Sequence, residues 1–262
     1  MADSRLLYAN VGVLSATWSQ TTGGTATGYP LTNLNNFKRG LPWRSSTTNG
    51  NQVIVATFPV SVIKAVVIIN YLAHSGGGTI KAEYKNGGGA YANFGGGTGL
   101  FTLPASNRTR LTALYETGGV TATDIRITYT NTGAVTTFVE LGLAYIGGYS
   151  QPTQNVSPGV TQAMVDPSSV TYSENGQKYV WTRQKFLQFG VTYRPLGDTD
   201  KDTVQSVFDS IGTGTPFIFA IDPTDVDLTA YGYLAEQMSV NHIANSGVTP
   251  YWQADITFEE AR

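Results

Sequence analysis

β-branched and aromatic runs dominate the first half of the chain, and no helical period persists there for three turns. Gln52-Val53-Ile54-Val55-Ala56-Thr57-Phe58 is rich in β-branched residues. Val62-Ile63-Lys64-Ala65-Val66-Val67-Ile68-Ile69 is almost continuously apolar, as expected of a strand covered on both faces. Thr79-Ile80-Lys81-Ala82-Glu83-Tyr84 alternates, with Ile80, Ala82 and Tyr84 on one face, and the segment from Asp124 to Tyr129 alternates likewise. The stretch from Thr137 to Ile146 reads as a further strand. Between the strands fall Gly76-Gly77-Gly78, Gly87-Gly88-Gly89 and Gly95-Gly96-Gly97, which predict hairpin loops. Several short strands with such punctuation predict a β-sandwich or jelly roll.

A polar segment with glycine and proline, from Gly147 to Gly159, separates this half from the next. It predicts a β-sandwich over 1–148, a linker over 149–160 and a second domain over 161–262. The second domain opens with a hairpin. Val170–Glu174 and Gln177–Trp181 flank Asn175-Gly176, the preferred pair for a two-residue type I′ turn. Leu187, Phe189, Val191 and Tyr193 then alternate along a long strand. One helix follows. Val204, Val207, Phe208 and Ile211 form a single apolar stripe, Thr199 is the expected N-cap with Asp202 as its capping-box partner, and Gly212 is the expected C-terminal glycine. Strands are expected over 216–221, 232–235 and 237–241, and a last one with Trp252, Ala254, Ile256 and Phe258 on one face. The fold class is therefore mainly β, with a β-sandwich first and a β-sheet carrying one packed helix second.

Composition sharpens this picture. Only 13% of the 262 residues are charged, against a usual share of about 25%. With 15 Tyr, 11 Phe and 4 Trp, that argues against intrinsic disorder and long solvated helices. A surface so poor in charge suits a protein whose surface is largely covered in an assembly. Charge is also unevenly divided. Residues 1–150 carry ten Lys or Arg against five Asp or Glu, whereas residues 151–262 carry six against thirteen. The split suits contacts between oppositely charged halves of neighbouring copies, or two solvated surfaces that differ in sign. The basic residues are scattered, so no nucleic-acid footprint is expected. The longest apolar run, Ala65–Ile69, is far too short to span a bilayer, and the N-terminus lacks the apolar core of a signal peptide. A soluble chain made in a cytoplasm is the expectation.

Candidate chemistry is sparse. There is no cysteine, hence no disulfide, thiolate metal site or cysteine nucleophile. His74 and His242 fall in different predicted domains, so no zinc site is expected from them. Asp222, Asp225 and Asp227 lack the glycine and closing glutamate of a calcium loop. The glycine triplets join strands rather than a strand to a helix, so they are not phosphate loops. No catalytic, cofactor or metal residue is expected. Tyr91 and Phe94, between two glycine triplets, remain as candidate contacts with a glycan or a protein partner. The alternative is that both fold back as a lid over the sandwich core.

Two resemblances carry these readings further. Tyr29-Pro30-Leu31-Thr32-Asn33-Leu34, then Leu41-Pro42-Trp43-Arg44-Ser45 and the Gln52–Phe58 strand, resemble the opening of discoidin-like, galactose-binding-like jelly rolls. In such modules the Trp and Asn-Leu are largely structural, which implies a scaffold role for Trp43 and Asn33. The second half resembles bacteriophage distal-tail and minor tail proteins, built on a tail-tube-related fold. The matching features are the Asn-Gly hairpin, the aromatic strand from Trp181 to Tyr193, the helix ending Phe208-Asp209-Ser210-Ile211-Gly212, the Thr215-Pro216-Phe217-Ile218-Phe219-Ala220-Ile221-Asp222-Pro223 strand and the terminal Ile256-Thr257-Phe258-Glu259-Glu260. This resemblance implies a virion tail protein without enzymatic activity, forming a homohexameric ring between the tail tube protein and the tail-tip or hub proteins. It also implies a jelly roll available to a host surface glycan. The order of the two modules is the reverse of that in well-known distal tail proteins.

Overall fold

The computed structural model describes residues 4–38, 40–46, 51–72, 78–103, 111–131, 138–223, 229–236, 238–244 and 250–261. The chain is mainly β, with antiparallel sheets and one long helix. Its elements are β1 (Arg5–Leu7), α1 (Val11–Leu14), β2 (Thr17–Thr22), β3 (Trp43–Arg44), β4 (Gln52–Leu72), β5 (Gly78–Lys85), β6 (Ala92–Asn93), β7 (Leu100–Leu103), β8 (Leu111–Asn131) and β9 (Glu140–Gly147). There follow β10 (Thr161–Val165), β11 (Ser169–Tyr172), β12 (Lys178–Trp181), β13 (Phe186–Leu196), α2 (Asp198–Ile211), β14 (Phe217–Ala220), β15 (Thr229–Leu234), β16 (Ser239–Ile243) and β17 (Tyr251–Glu260).

Two compact units result, Leu7–Tyr149 and Ser150–Arg262 joined by Met1–Leu6. The division differs from the sequence expectation at both ends of the first domain. β1 adds to the edge of the second unit's sheet beside β14. Of the expected linker over 149–160, all but Tyr149 also belongs to that unit: Ser150 and Leu6 exchange backbone hydrogen bonds at 2.9 Å, and Val156 is buried and bridges to Tyr193. A three-residue strand has no local signal that says which distant strand it joins.

In the first unit the order is β3-β9-β4-β8-β5-β6, with β2 on β4 and β7 on β5. The two strands read from 52–58 and 62–69 are one, β4, of 21 residues, paired along its length with the 21-residue β8. Pairing shifts between Thr57 and Ser61 and between Ile63 and Ala65. Such irregularities bend and twist a ladder. Ile54 and Ala56 before them, and Val66 and Ile68 after them, lie in one apolar core with Ile80, Ala82, Ile125, Ile127 and Leu141. The alternation of β5 holds: Ile80 and Ala82 face inward, while Lys81, Glu83 and Lys85 line the other face.

Trp43 and Asn33 are scaffold, as the resemblance implies. Trp43 is buried and its indole donates to the Thr25 hydroxyl at 3.1 Å, and the Asn33 amide donates to the Pro42 carbonyl at 2.9 Å. The Arg44 guanidinium lies 3.8 Å from the ring centres of both Tyr29 and Phe138 and pairs with Glu140.

In the second unit the order is β1-β14-β15-β17-β13-β10, with β16 also on β17. α2 buries Val204, Val207, Phe208 and Ile211, the expected stripe, and ends at Gly212 with φ +58°. Its N-terminus differs from expectation. Gly197, not Thr199, is the N-cap, and no side chain caps it. The early acids serve tertiary contacts instead: Asp198 accepts from the Trp252 indole at 2.7 Å, and Asp200 accepts from the Thr153 amide and hydroxyl at 3.0 Å. Phe258, fully buried, centres an aromatic cluster with Phe189 at 5.0 Å, Phe219 at 5.2 Å and Phe217 at 5.9 Å.

Truncating that centre is expected to be severe. Phe258→Ala should cost about 3–5 kcal/mol, read by urea unfolding of the full chain; a loss under 1 kcal/mol would place the unit's stability elsewhere. Gly232 gives a backbone counterpart, because a Cβ there would sit 2.1 Å from the Glu259 carbonyl oxygen. Gly232→Ala should therefore cost at least about 1–3 kcal/mol in the same measurement.

Candidate functional site

On the first unit the outward face of β5 and β8 forms a ladder of alternating charge. Glu83 opposes Arg126, and Lys85 opposes Asp124. Glu83 accepts from Lys81 at 2.8 Å and pairs with Arg126 at 2.7 Å; Lys85 lies 3.6 Å from Asp124. The hydroxyls of Thr57 and Thr123 donate to Asp124 at 2.8 and 2.7 Å. Burial opposes ionisation of Glu83, but the bonds from Lys81 and Arg126 outweigh it and hold its carboxyl below the ordinary range. Asp124 is lowered in the same way: burial raises it, and the two threonines and Lys85 more than compensate. Neither carboxyl suits a general acid, which needs its proton held at neutral pH.

The structure separates the two aromatic candidates. Tyr91 is half-buried and lies on this ladder, with the Arg126 guanidinium 3.9 Å from its ring centre and the Lys85 ammonium at 5.1 Å. Phe94 is fully buried and packs edge-on against Tyr84 at 6.5 Å, so as a contact residue it is corrected to a core residue. The loop folds back to put it there. The Phe94 amide donates to the Ala82 carbonyl at 3.0 Å, and the amides of Gly95 and Gly96 donate to Glu116 at 2.6 and 3.1 Å. Tyr91 thus stands alone as an aromatic platform edged by cations and carboxylates, a surface that can stack on a ring and hydrogen-bond its rim.

On the second unit, none of the residues from 161 to 185 is buried. β10 pairs with β13, and beyond it β11 and β12 form a separate two-stranded sheet. Between them a neck is tied by Asp166, which accepts from the Ser168 amide at 3.0 Å and lies 3.4 Å from Lys185, and by the Ser168 hydroxyl, which accepts from the Arg183 amide at 2.9 Å. The Ser168 bonds, with Lys185 second, hold the Asp166 carboxyl below its ordinary range. The turn differs from the expected two-residue form. The Gly176 amide donates to the Ser173 carbonyl and the Ser173 amide to the Gln177 carbonyl, both at 2.9 Å, and Gly176 has φ +77°. That is a three-residue loop with glycine in the left-handed position. It is favoured because the Ser173 hydroxyl accepts from the Gln177 amide at 3.0 Å.

The resulting arm is apolar on both faces. Val170, Tyr172 and Val180 share one face and Tyr179 and Trp181 the other, with exposures from 46% at Val170 to 67% at Trp181. The sequence pattern gave no warning of this, because the same apolar residues would suit a buried strand.

A cavity of about 520 Å³ lies in the same unit between α2 and β15–β16. Phe208, Leu234, Met238 and Val240 form its walls, with Gln205 and Asp209 from α2. His242, on β16, packs against Trp252 at 4.7 Å between ring centres. His74, Asp225 and Asp227 lie outside the described residues, and among the described residues no group of three or more metal-ligating side chains occurs. No described helix is long and apolar enough to cross a membrane.

Glu83→Gln tests the ladder. Because the folded state lowers this carboxyl, its contribution to stability is complete above the ordinary carboxylate range and is lost as pH falls through the folded value. The variant should be less stable by about 1–3 kcal/mol at pH 7, and the gap from wild type should close on acidification once both states bind the proton. Urea unfolding across the acid range measures it, and a gap that does not change with pH would disprove the assignment.

No protein-family model matches the chain, and no curated protein matches it. Among solved structures, it is similar to chitosan-binding module 1 of a chitosanase/glucanase from Paenibacillus, at 15% identity and a TM-score of 0.41, covering 54% of this chain and 100% of that one. It is also similar to CBM32-1 of a family 31 glycoside hydrolase from Clostridium perfringens, at 7% identity and a TM-score of 0.43, covering 54% and 99%. A Ruminococcus gnavus GH29 fucosidase in complex with fucose matches at 14% identity and a TM-score of 0.43, covering 54% of this chain and 27% of that one.

Proposed function

We propose that the chain is a non-enzymatic structural subunit, held to neighbouring polypeptides through the arm of its second unit. One observation carries this reading: a two-stranded hairpin, marginal by itself in water, presents five large apolar side chains to solvent. An apolar surface of this kind belongs against a partner. The sequence resemblance supplies the finer setting, a bacteriophage tail, with a homohexameric ring near the tip joining tube to tip complex. The solved structures quoted above do not bear on that setting, which rests on the sequence pattern and the arm.

A second reading belongs to the first unit alone. Tyr91, half-exposed and stacked on Arg126, is the observation that favours it, with a host surface glycan as the ligand. The galactose-binding-like resemblance points the same way. The two readings are compatible, since a tail subunit can also carry a receptor-binding module.

Mass photometry of the full chain at micromolar concentration should show multiples of 28.0 kDa. Tyr179→Ser with Trp181→Ser should return the chain to a monomer with an unchanged circular-dichroism spectrum. A wild-type species of 28.0 kDa only, together with no ring in purified particles, would overturn the assembly reading. For the glycan reading, array binding should fall at least about ten-fold in Tyr91→Ala, a loss of ~1.4 kcal/mol. Array signal that is absent, or indifferent to Tyr91, defeats it.

A further inference from the structure

Resting on the assembly reading, we propose that the partner of the arm is a second copy of this chain, and that the Tyr179–Trp181 face of one copy enters the cavity between α2 and β15–β16 of the next.

Charge favours this pairing. Residues 161–185, which make the arm and its base, carry three Lys or Arg against two Asp or Glu. The body of the same unit, residues 186–262, carries three against eleven. An arm of net positive charge would therefore meet a strongly acidic body, which steers association between unlike surfaces. The contrast recurs locally. Arg183 is exposed at the base of the arm, and the exposed Asp209 lies at the cavity.

The chemistry of the two surfaces also matches. Tyr and Trp on a rigid strand are the side chains that anchor interfaces when a pocket receives them. The cavity offers Phe208, Leu234, Met238 and Val240, and a volume of about 520 Å³ leaves room for an aromatic ring. Met is suited to adapting its shape to an incoming side chain.

Sheet order then separates the two surfaces. The arm grows from β10 and β13, on one side of β17, whereas β15 and β16, which wall the cavity, lie on the other. Arm and cavity are different surfaces, so each copy can give an arm to one neighbour and receive an arm from another, or two copies can exchange arms about a two-fold axis. Repetition of the first arrangement generates a ring when the rotation closes, and a filament when it does not.

The absence of cysteine makes the test clean. Ser169→Cys lies opposite Trp181 on the arm, and Thr213→Cys lies at the cavity; both replace exposed small side chains. The two full-length variants, with tags of different size, are mixed and treated with a short bis-maleimide. Cross-linked product should contain one copy of each variant, and neither variant alone should cross-link. Trp181→Ala in the Ser169→Cys chain should reduce the product at least ten-fold without changing its circular dichroism. Oligomers that form but give no mixed product would overturn this contact and leave the assembly reading standing. Products joining like variants would indicate a symmetric face-to-face contact and also overturn it. Failure to form any oligomer would defeat both.

Discussion

The backbone amides and carbonyls along the outer strands of its sheets are the constraint around which this protein is organised. Each must find a partner or water, and an open edge invites further strands. The first unit answers with length. β4 and β8, paired over 21 residues each, bend where their register shifts and supply both sides of one core. β9 and β5 then cover the flanks of that pair. The second unit recruits the three-residue β1 from the far end of the chain to one margin of its sheet. At the other margin β10 and β13 run on into an arm with no sheet to lie on.

The two units also handle their few charges differently. In the first, cations lie against aromatic rings and carboxylates: Arg44 between Tyr29 and Phe138 with Glu140, and Arg126 beneath Tyr91 with Glu83. Such groups are stabilised by local partners and leave little free field. In the second, the acids of α2 act as acceptors for distant donors, Trp252 for Asp198 and Thr153 for Asp200, and the remaining acidity is spread over the body. An apolar arm with a positive balance beside an acidic body is the arrangement that assembly through unlike surfaces requires.

The candidate site was only partly legible. Tyr91 and Phe94 share a glycine-rich segment, and nothing in their spacing distinguishes them. Their fates diverge because Glu116 gathers the amides of Gly95 and Gly96 and draws Phe94 against Tyr84, while Tyr91 stays on the charged face. Glu116 lies 21 and 20 residues away from Gly95 and Gly96 in sequence and acts through backbone donors, which leave no residue pattern. The arm was legible as a hairpin but not as an exposed one, because the spacing of Val170 and Tyr172 and the apolar run Tyr179-Val180-Trp181 are patterns that core strands also show.

By itself, the sequence determined the elements whose signals are local. Ile80 and Ala82 alternate with charged neighbours, Val204, Val207, Phe208 and Ile211 repeat at helical spacing, and Gly212 occupies a left-handed position. Side-chain period and backbone preference act within a few residues, so they survive in the string of letters. Only the tertiary structure decided which strands joined, where β1 went, that Gly197 precedes α2 as an N-cap without a side-chain bond, and which aromatics reach solvent. Those outcomes depend on partners brought together from distant parts of the chain, and the strength of such contacts is set by geometry that no local window contains.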